Sequence, residues 1–324
     1  MDLLESDNKE LRRSQESISL RLEEFRFYSK EISFLREQKE KALMKNVFAN
    51  QGLYKKHSFK DRDGETLVVK ELSNFHVGTA GAGRFHINIY DPRRKFKLSK
   101  VLRGHSHYVR SLLEHNDQLL SCGHDGSILM WNIQDNYLPS RRIVVNENFF
   151  CLCNYAEDFF LVCGSSNNMR MYNSVSKKNV ATAVSTTIRQ IIVNQFKRIF
   201  TGGVDRNITI WEFDRARLNC IQTIFTGGYI ASLMELREDV VLVGIESGEL
   251  QVVHVKTGAK PHAIQFKGND TLVIMKHNMY HEEDFPSLFV AGTKEIFIVH
   301  AHSLRVIASF KMHMPKYMAY DGMV

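Results

Sequence analysis

The chain has 324 residues, 44% of them hydrophobic and 24% charged, an ordinary globular composition that supports a sizeable buried core in one large domain plus an extra, or in two ordinary domains. The formal charge of +7 permits attraction to acidic partners or RNA without demanding it. Met1 to Ser6 lacks the basic and apolar regions of a signal peptide, and no apolar run reaches the ~18 residues of a membrane helix, so the expectation is a soluble intracellular protein, cytoplasmic with the nucleus left open.

Residues 1–48 contain no Pro or Gly. Leu4, Leu11, Ile18, Phe25 and Ile32 recur every seven residues, with Leu22 and Leu35 on neighbouring positions. This spacing predicts a long helix with one narrow apolar seam, and a narrow seam calls for a partner helix. Self-association as a homodimer, or docking to another coiled coil, is the functional expectation. The first 50 residues carry ten Lys/Arg and ten Asp/Glu, so the whole charge excess lies further along. Residues 49–63 are polar, contain Gly, and read as a linker.

From residue 64 the texture changes to short β-rich runs with Gly turns. Six segments align on the end of one strand and finish at Tyr90, Trp131, Tyr172, Trp211, Val253 and Val299, which are 41, 41, 39, 42 and 46 positions apart. Each is preceded by an apolar run and a turn, as in Leu119-Leu120-Ser121-Cys122-Gly123-His124-Asp125-Gly126. A polar turn and another apolar run follow, as in Arg142-Ile143-Val144-Val145. Four strands at such a period make one propeller blade.

At these residues the sequence resembles the WD-repeat (WD40) family. The second repeat matches best, with Gly104-His105, Ser121, Asp125-Gly126 and Trp131-Asn132. The resemblance implies a relay of His105, Ser121, Asp125 and Trp131 inside the blade, in which four buried polar groups satisfy one another. The fourth repeat keeps Thr201, Asp205 and Trp211 but has no Gly-His before them. Tyr90 and Tyr172 replace the tryptophan elsewhere, and Val253 and Val299 replace it more drastically. The implied fold is an all-β WD40-type propeller over residues 64–324, preceded by the long α-helix. Six blades are recognisable. Lys316 to Tyr320 looks like the first strand of another and Leu53 to Phe59 has the makings of a lent strand, so the ring is six-bladed or carries an incomplete seventh.

The family implies binding rather than catalysis, with partners docking across a face of loops around the central channel. Residues beside each innermost strand include Tyr108, Arg110, Phe149, Arg189 and Tyr229, types that dominate interface energies. A second candidate is the basic cluster Arg93, Arg94, Lys95, Lys97, Lys100 and Arg103 with Phe96 interleaved, suited to RNA phosphates or an acidic peptide. A coiled coil joined to such a propeller also resembles the architecture of ubiquitin-ligase substrate receptors and autophagy adaptors, although no RING, F-box or zinc pattern is present.

Other chemistry finds little support. Gly78-Thr79-Ala80-Gly81-Ala82-Gly83 precedes a β-run rather than the helix a phosphate loop needs. The pairs His300/His302 and His277/His281 lack a third ligand, and Glu282-Glu283-Asp284 reads as a solvated loop. Five cysteines (122, 151, 153, 163 and 220) form no CxxC pair and read as small hydrophobes. Asn207-Ile208-Thr209 is a glycosylation sequon placed inside a strand. The sequence therefore gives no metal, no cofactor and no enzyme motif, and points to a non-catalytic scaffold. An RNA- or ribonucleoprotein-associated subunit is the alternative.

Overall fold

A computed structural model divides the chain into two compact units, Met1–Ser58 and Phe59–Val324. The structure describes residues 66–311 except 146, 215, 261, 269–272, 277–286 and 301–303. The expected helix over 1–48, the linker, the His277/His281 pair, Glu282-Glu283-Asp284, His302 and the C-terminal strand at Lys316 to Tyr320 lie outside the described residues.

Among the described residues, twenty-four strands form six antiparallel sheets of four. Sheet 1 comprises β1 (Thr66–Glu71), β2 (Val77–Gly81), β3 (His86–Asp91) and β4 (Lys97–Arg103). Sheet 2 comprises β5 (Val109–His115), β6 (Gln118–Gly123), β7 (Ser127–Asn132) and β8 (Leu138–Val144). Sheet 3 runs from β9 (Phe149–Ala156) through β10 (Phe159–Gly164) and β11 (Asn168–Asn173) to β12 (Asn179–Val184). Sheet 4 has β13 (Ile188–Val193), β14 (Ile199–Gly203), β15 (Asn207–Asp214) and β16 (Arg217–Phe225). Sheet 5 has β17 (Ile230–Arg237), β18 (Val240–Ile245), β19 (Glu249–His254) and β20 (His262–Gln265). Sheet 6 has β21 (Val273–Lys276), β22 (Ser287–Ala291), β23 (Glu295–His300) and β24 (Val306–Lys311). Each strand pairs with its neighbour in sequence, so every sheet is a meander.

The sheets pack face to face in chain order. Successive side chains on a strand point to opposite faces, and here both faces are apolar. In β6, Leu119 joins the cluster shared with sheet 1, alongside Ala80, Ile87 and Ile89, while Leu120 and Cys122 join the cluster shared with sheet 3, alongside Phe149 and Phe160. Three further clusters link sheet 3 to 4 (Leu161, Met171, Ile191), sheet 4 to 5 (Phe200, Ile210, Val243) and sheet 5 to 6 (Leu242, Leu250, Val290). The first strands lie side by side along one line, β1 against β5, β5 against β9, β9 against β13, β13 against β17 and β17 against β21. The fourth strands face outward, and six of the seven residues of β8 are exposed (Leu138 to Arg142, and Val144). Innermost strands in contact, outermost strands in solvent and a core between successive sheets are the features of a β-propeller.

The glycine-rich run is the β2–β3 hairpin, turning at Gly83 with φ 79°, as its lack of a following helix suggests.

Removing a ring from one inter-sheet cluster leaves a cavity that two sheets cannot close without losing register. Phe160 is fully buried and stacks on Tyr172 at 5.6 Å. Phe160→Ala is expected to cost about 3–5 kcal/mol, whereas Leu138→Ala on the exposed outer strand costs within about 0.5 kcal/mol. Guanidinium chloride unfolding followed by tryptophan fluorescence checks both.

Candidate binding face

The second sheet contains the complete relay. With the Nδ1 proton of His105 directed to Asp125 (2.9 Å to Oδ2), Nε2 is left to accept from the Ser121 hydroxyl at 2.8 Å. The Ser121 oxygen in turn accepts from the Trp131 indole N–H at 3.0 Å. Asp125 also accepts from the backbone N–H of Ser106 and of Ser127, both at 3.0 Å. The two charged-type side chains are 1% exposed. Burial alone would raise the Asp125 carboxyl. The hydrogen bond and charge of His105, helped by Ser106 and Ser127, outweigh it and hold the group well below the usual carboxylate range.

The fourth sheet has only the inner half of this device. Trp211 donates to Thr201 at 2.9 Å, and Asp205 caps its own turn by accepting from the Asn207 N–H at 3.2 Å. Elsewhere other polar groups occupy the same layer of the sheet. Arg170, opposite Val162, pairs with the buried Glu147 in sheet 3. Gln251, opposite Val243, donates to the Thr226 carbonyl at 3.0 Å in sheet 5. Asn88, opposite Thr79, reaches the Tyr90 hydroxyl at 3.4 Å in sheet 1.

These turns fix the end of the sheets where each first strand begins. The residue after the second strand donates its N–H to the carbonyl just before the first: His124 to Tyr108 at 2.9 Å, Ser165 to Asn148 at 2.8 Å and Glu246 to Tyr229 at 2.9 Å. The approach is so close that a Cβ on Gly123 would collide with the Tyr108 carbonyl, and Gly164 and Gly203 are in the same position. A β-bulge follows at once. Register shifts between Val109 and Ser111, between Ile188 and Gln190, and opposite the Cys163–Gly164 step leave Arg110, Arg189 and Phe150 unopposed. Bulges re-aim side chains and locally end the regular pairing.

The bulge decides which of the expected residues reach the surface. Tyr108 and Arg110 are half-buried, and Arg189 and Tyr229 are exposed. Phe149 is fully buried in the cluster between sheets 2 and 3. It is therefore a core residue, and Phe150, one position along, takes the surface place. The sequence reading also passed over Phe85, His107 and His124. Their signal was available in the repeat, since each immediately flanks an aligned strand or turn residue. Phe85 stacks on His107 at 5.6 Å and lies 5.7 Å from Tyr108. His107 meets Tyr108 at 4.4 Å and His124 at 5.5 Å, and His124 meets Phe150 edge-on at 5.8 Å. Burial, with Arg110 and His107 nearby, lowers the pKa of His124, so its ring is mostly neutral at pH 7. Further round the same end, Arg189 pairs with Glu246, and Arg206 lies 5.0 Å over the Tyr229 ring.

The basic cluster does not come together. Arg93, Arg94 and Lys95 sit in the turn at Pro92–Arg94, capped by Asp91. Arg94 pairs with Asp91 at 3.5 Å, and Arg93 covers the exposed Phe75 ring at 4.5 Å. Lys97 is exposed at the near end of β4, Lys100 bonds the Asn136 carbonyl of sheet 2, and Arg103 ends the strand. Seven extended residues separate Lys97 from Arg103 by about 20 Å, placing them at opposite ends of the sheet.

Among the described residues no group of three or more His, Cys, Asp or Glu is placed to hold a metal ion, and no helix is long and apolar enough to cross a membrane. All five cysteines are free thiols.

A four-stranded meander stacked in series, with a His-Ser-Asp-Trp relay at its best-formed sheet, defines a WD-repeat propeller. The family described as WD domain, G-beta repeat, matches residues 96–132, the stretch that runs from the end of sheet 1 through the relay, and the repeated four-stranded sheets are consistent with a WD40-type propeller. It is also similar to "Ribosome biogenesis protein YTM1" of Meyerozyma guilliermondii, at 31% identity over 74 residues. That likeness covers 21% of this chain and 16% of the length of that protein.

Asp125 and Asp205 make opposite predictions from one alignment. Asp125→Ala strands a buried histidine and two backbone donors and is expected to cost about 2–4 kcal/mol. Asp205→Ala removes only a local turn cap, costing about 1 kcal/mol. Because folding lowers the Asp125 pKa, its contribution is full above the unfolded value of about 3.9 and is lost as pH falls below it. Thermal melts between pH 7 and pH 3 should show a steeper acid-side loss in the wild type than in Asp125→Asn.

Proposed function

We propose that this chain is a non-catalytic protein-interaction scaffold whose propeller end, bearing Tyr108, Arg110, Phe150, Arg189 and Tyr229, receives a protein partner. The observation that carries this reading is the repeated bulge. It sets arginine and aromatic side chains on consecutive sheets at one end, on a base held by buried hydrogen bonds. Aromatic and arginine side chains lose little conformational freedom when they become interface anchors, and a stiff scaffold lowers the ordering cost further. WD repeats generally serve such roles. The N-terminal seam adds self-association or coiled-coil docking to the same proposal.

A ribonucleoprotein setting is the second reading, favoured by the likeness to a protein named for ribosome biogenesis. It places the adaptor in an RNA-containing assembly and opens the nucleus as its site of action. A substrate-receptor role in a ubiquitin-ligase-like assembly is a third version of the same scaffold.

The test is affinity capture with the full chain followed by mass spectrometry. Combined Tyr108→Ala, Arg110→Ala, Arg189→Ala and Tyr229→Ala should deplete specific partners at least tenfold, while Arg93→Ala with Arg94→Ala, at the other end, retains them. Partners lost only with the second variant would overturn the assignment of the face. For the seam, Leu11→Asp, Ile18→Asp and Phe25→Asp together should convert a dimer to a monomer by light scattering at micromolar concentration. A wild-type monomer removes the homodimer from the proposal.

A further inference from the structure

The propeller end described above is chemically lopsided. Over sheets 4 and 5 its arginines are already engaged, Arg189 by the Glu246 carboxylate and Arg206 by the Tyr229 ring. Over sheets 1 to 3 they are not. There the five rings of Phe85, His107, Tyr108, His124 and Phe150 form one connected patch drawn from three sheets, and Phe85 is 44% exposed. Two guanidinium groups border it. Arg110 unfolds from the bulge beside His124, and Arg103 is exposed across the strand pair from His86, one residue from Phe85. Among the described residues, neither Arg103 nor Arg110 has a side-chain hydrogen bond or ion pair.

The carboxylates that would normally neutralise such a patch are committed inward. Asp125 is bound to His105 with its side chain 1% exposed, and Glu147 is bound to Arg170 with its side chain 2% exposed. Both acids do their work inside sheets 2 and 3 and offer no negative charge to the surface. Among the described residues, what remains outside there is positive charge bordering a broad aromatic floor. A ligand complementary to it supplies carboxylates at the edge and a flat or apolar group at the centre.

We propose that the sheet 1–3 half of this end binds an acidic linear segment of a partner protein. Its Asp and Glu carboxylates meet Arg103 and Arg110, and one aromatic or large apolar side chain lies on the His107, Tyr108 and Phe150 rings. The inference rests on the scaffold reading and narrows it to one half of the face and one class of partner sequence. Each carboxylate–guanidinium contact is a charge-assisted hydrogen bond, and the ring contact supplies the apolar anchor that gives an interface most of its energy.

The test is fluorescence anisotropy with the full chain and three labelled probes of equal length. These are an acidic peptide alternating Glu and Asp around one central Phe, its counterpart with every acid replaced by Gln or Asn, and oligouridylate. The acidic peptide should bind at least tenfold tighter than either of the others, and more weakly at 200 mM than at 50 mM salt. Arg103→Glu and, separately, Arg110→Ala should each weaken it by about tenfold. Arg93→Ala, at the other end of sheet 1, should leave it unchanged. Arg103→Glu lies on an exposed strand end, so an unaltered melting curve keeps that arm interpretable if Arg110→Ala disturbs the bulge. Equal binding of the uncharged peptide, or tighter binding of oligouridylate, overturns the proposal. If a partner recovered by affinity capture depends on Arg189 and Tyr229 but not on Arg103 or Arg110, this inference fails while the scaffold reading stands.

Discussion

Each sheet of this protein can bury its two apolar faces only against the sheets before and after it, and every other property of the fold depends on that constraint. A lone four-stranded sheet carrying Leu119 on one face and Leu120 on the other would expose one of them to water. Stacking in series removes the difficulty, because the residue that leaves one cluster on a strand is followed by the residue that enters the next. The same rule explains why the third strands read as near-continuous apolar runs, such as Ile128 to Trp131, whereas the outer strand β8 reads as polar.

Inside this apolar stack, polar groups persist where they hold a turn against a strand. The relay in sheet 2 joins the segment before β5, the β6–β7 turn and both strands through four mutually satisfied side chains. The other sheets solve the same problem with fewer or different groups: a Thr–Trp pair in sheet 4, an ion pair in sheet 3 and amides in sheets 1 and 5. A buried polar group without a partner is costly, and each replacement makes at least one hydrogen bond or ion pair of its own. The carboxylates of Asp125 and Glu147 are spent on this task. Their withdrawal leaves the adjoining surface cationic and aromatic, linking the internal architecture to what the exterior is able to bind.

The binding surface arises from the start of the inner strands. A carbonyl shared with the neighbouring turn, a glycine that tolerates the close approach and a bulge one residue later recur from sheet to sheet. Rigid backbone with variable side chains at a fixed place is a general way for one scaffold to carry different partners. Here the variation runs around the end itself, from an aromatic, cationic sector to one whose charges are internally paired.

The sequence alone determined the repeat. Strand ends near forty residues apart, with Gly turns and a single well-formed His-Ser-Asp-Trp set, are a local and periodic pattern that survives in one dimension. His105, Ser121, Asp125 and Trp131, which the family resemblance singles out in that repeat, each sit near a strand end and are joined by hydrogen bonds in the structure. Tertiary structure decided what periodicity cannot carry. The bulge moved surface position from Phe149 to Phe150, since an extra residue reverses the alternation of faces at that point. The extended β4 split an apparent basic cluster between two ends of a sheet, because neighbours in sequence are distant along a strand. Phe85, His107, Tyr108, His124 and Phe150 became one patch only when three sheets were stacked, as the contacts between them cross from repeat to repeat.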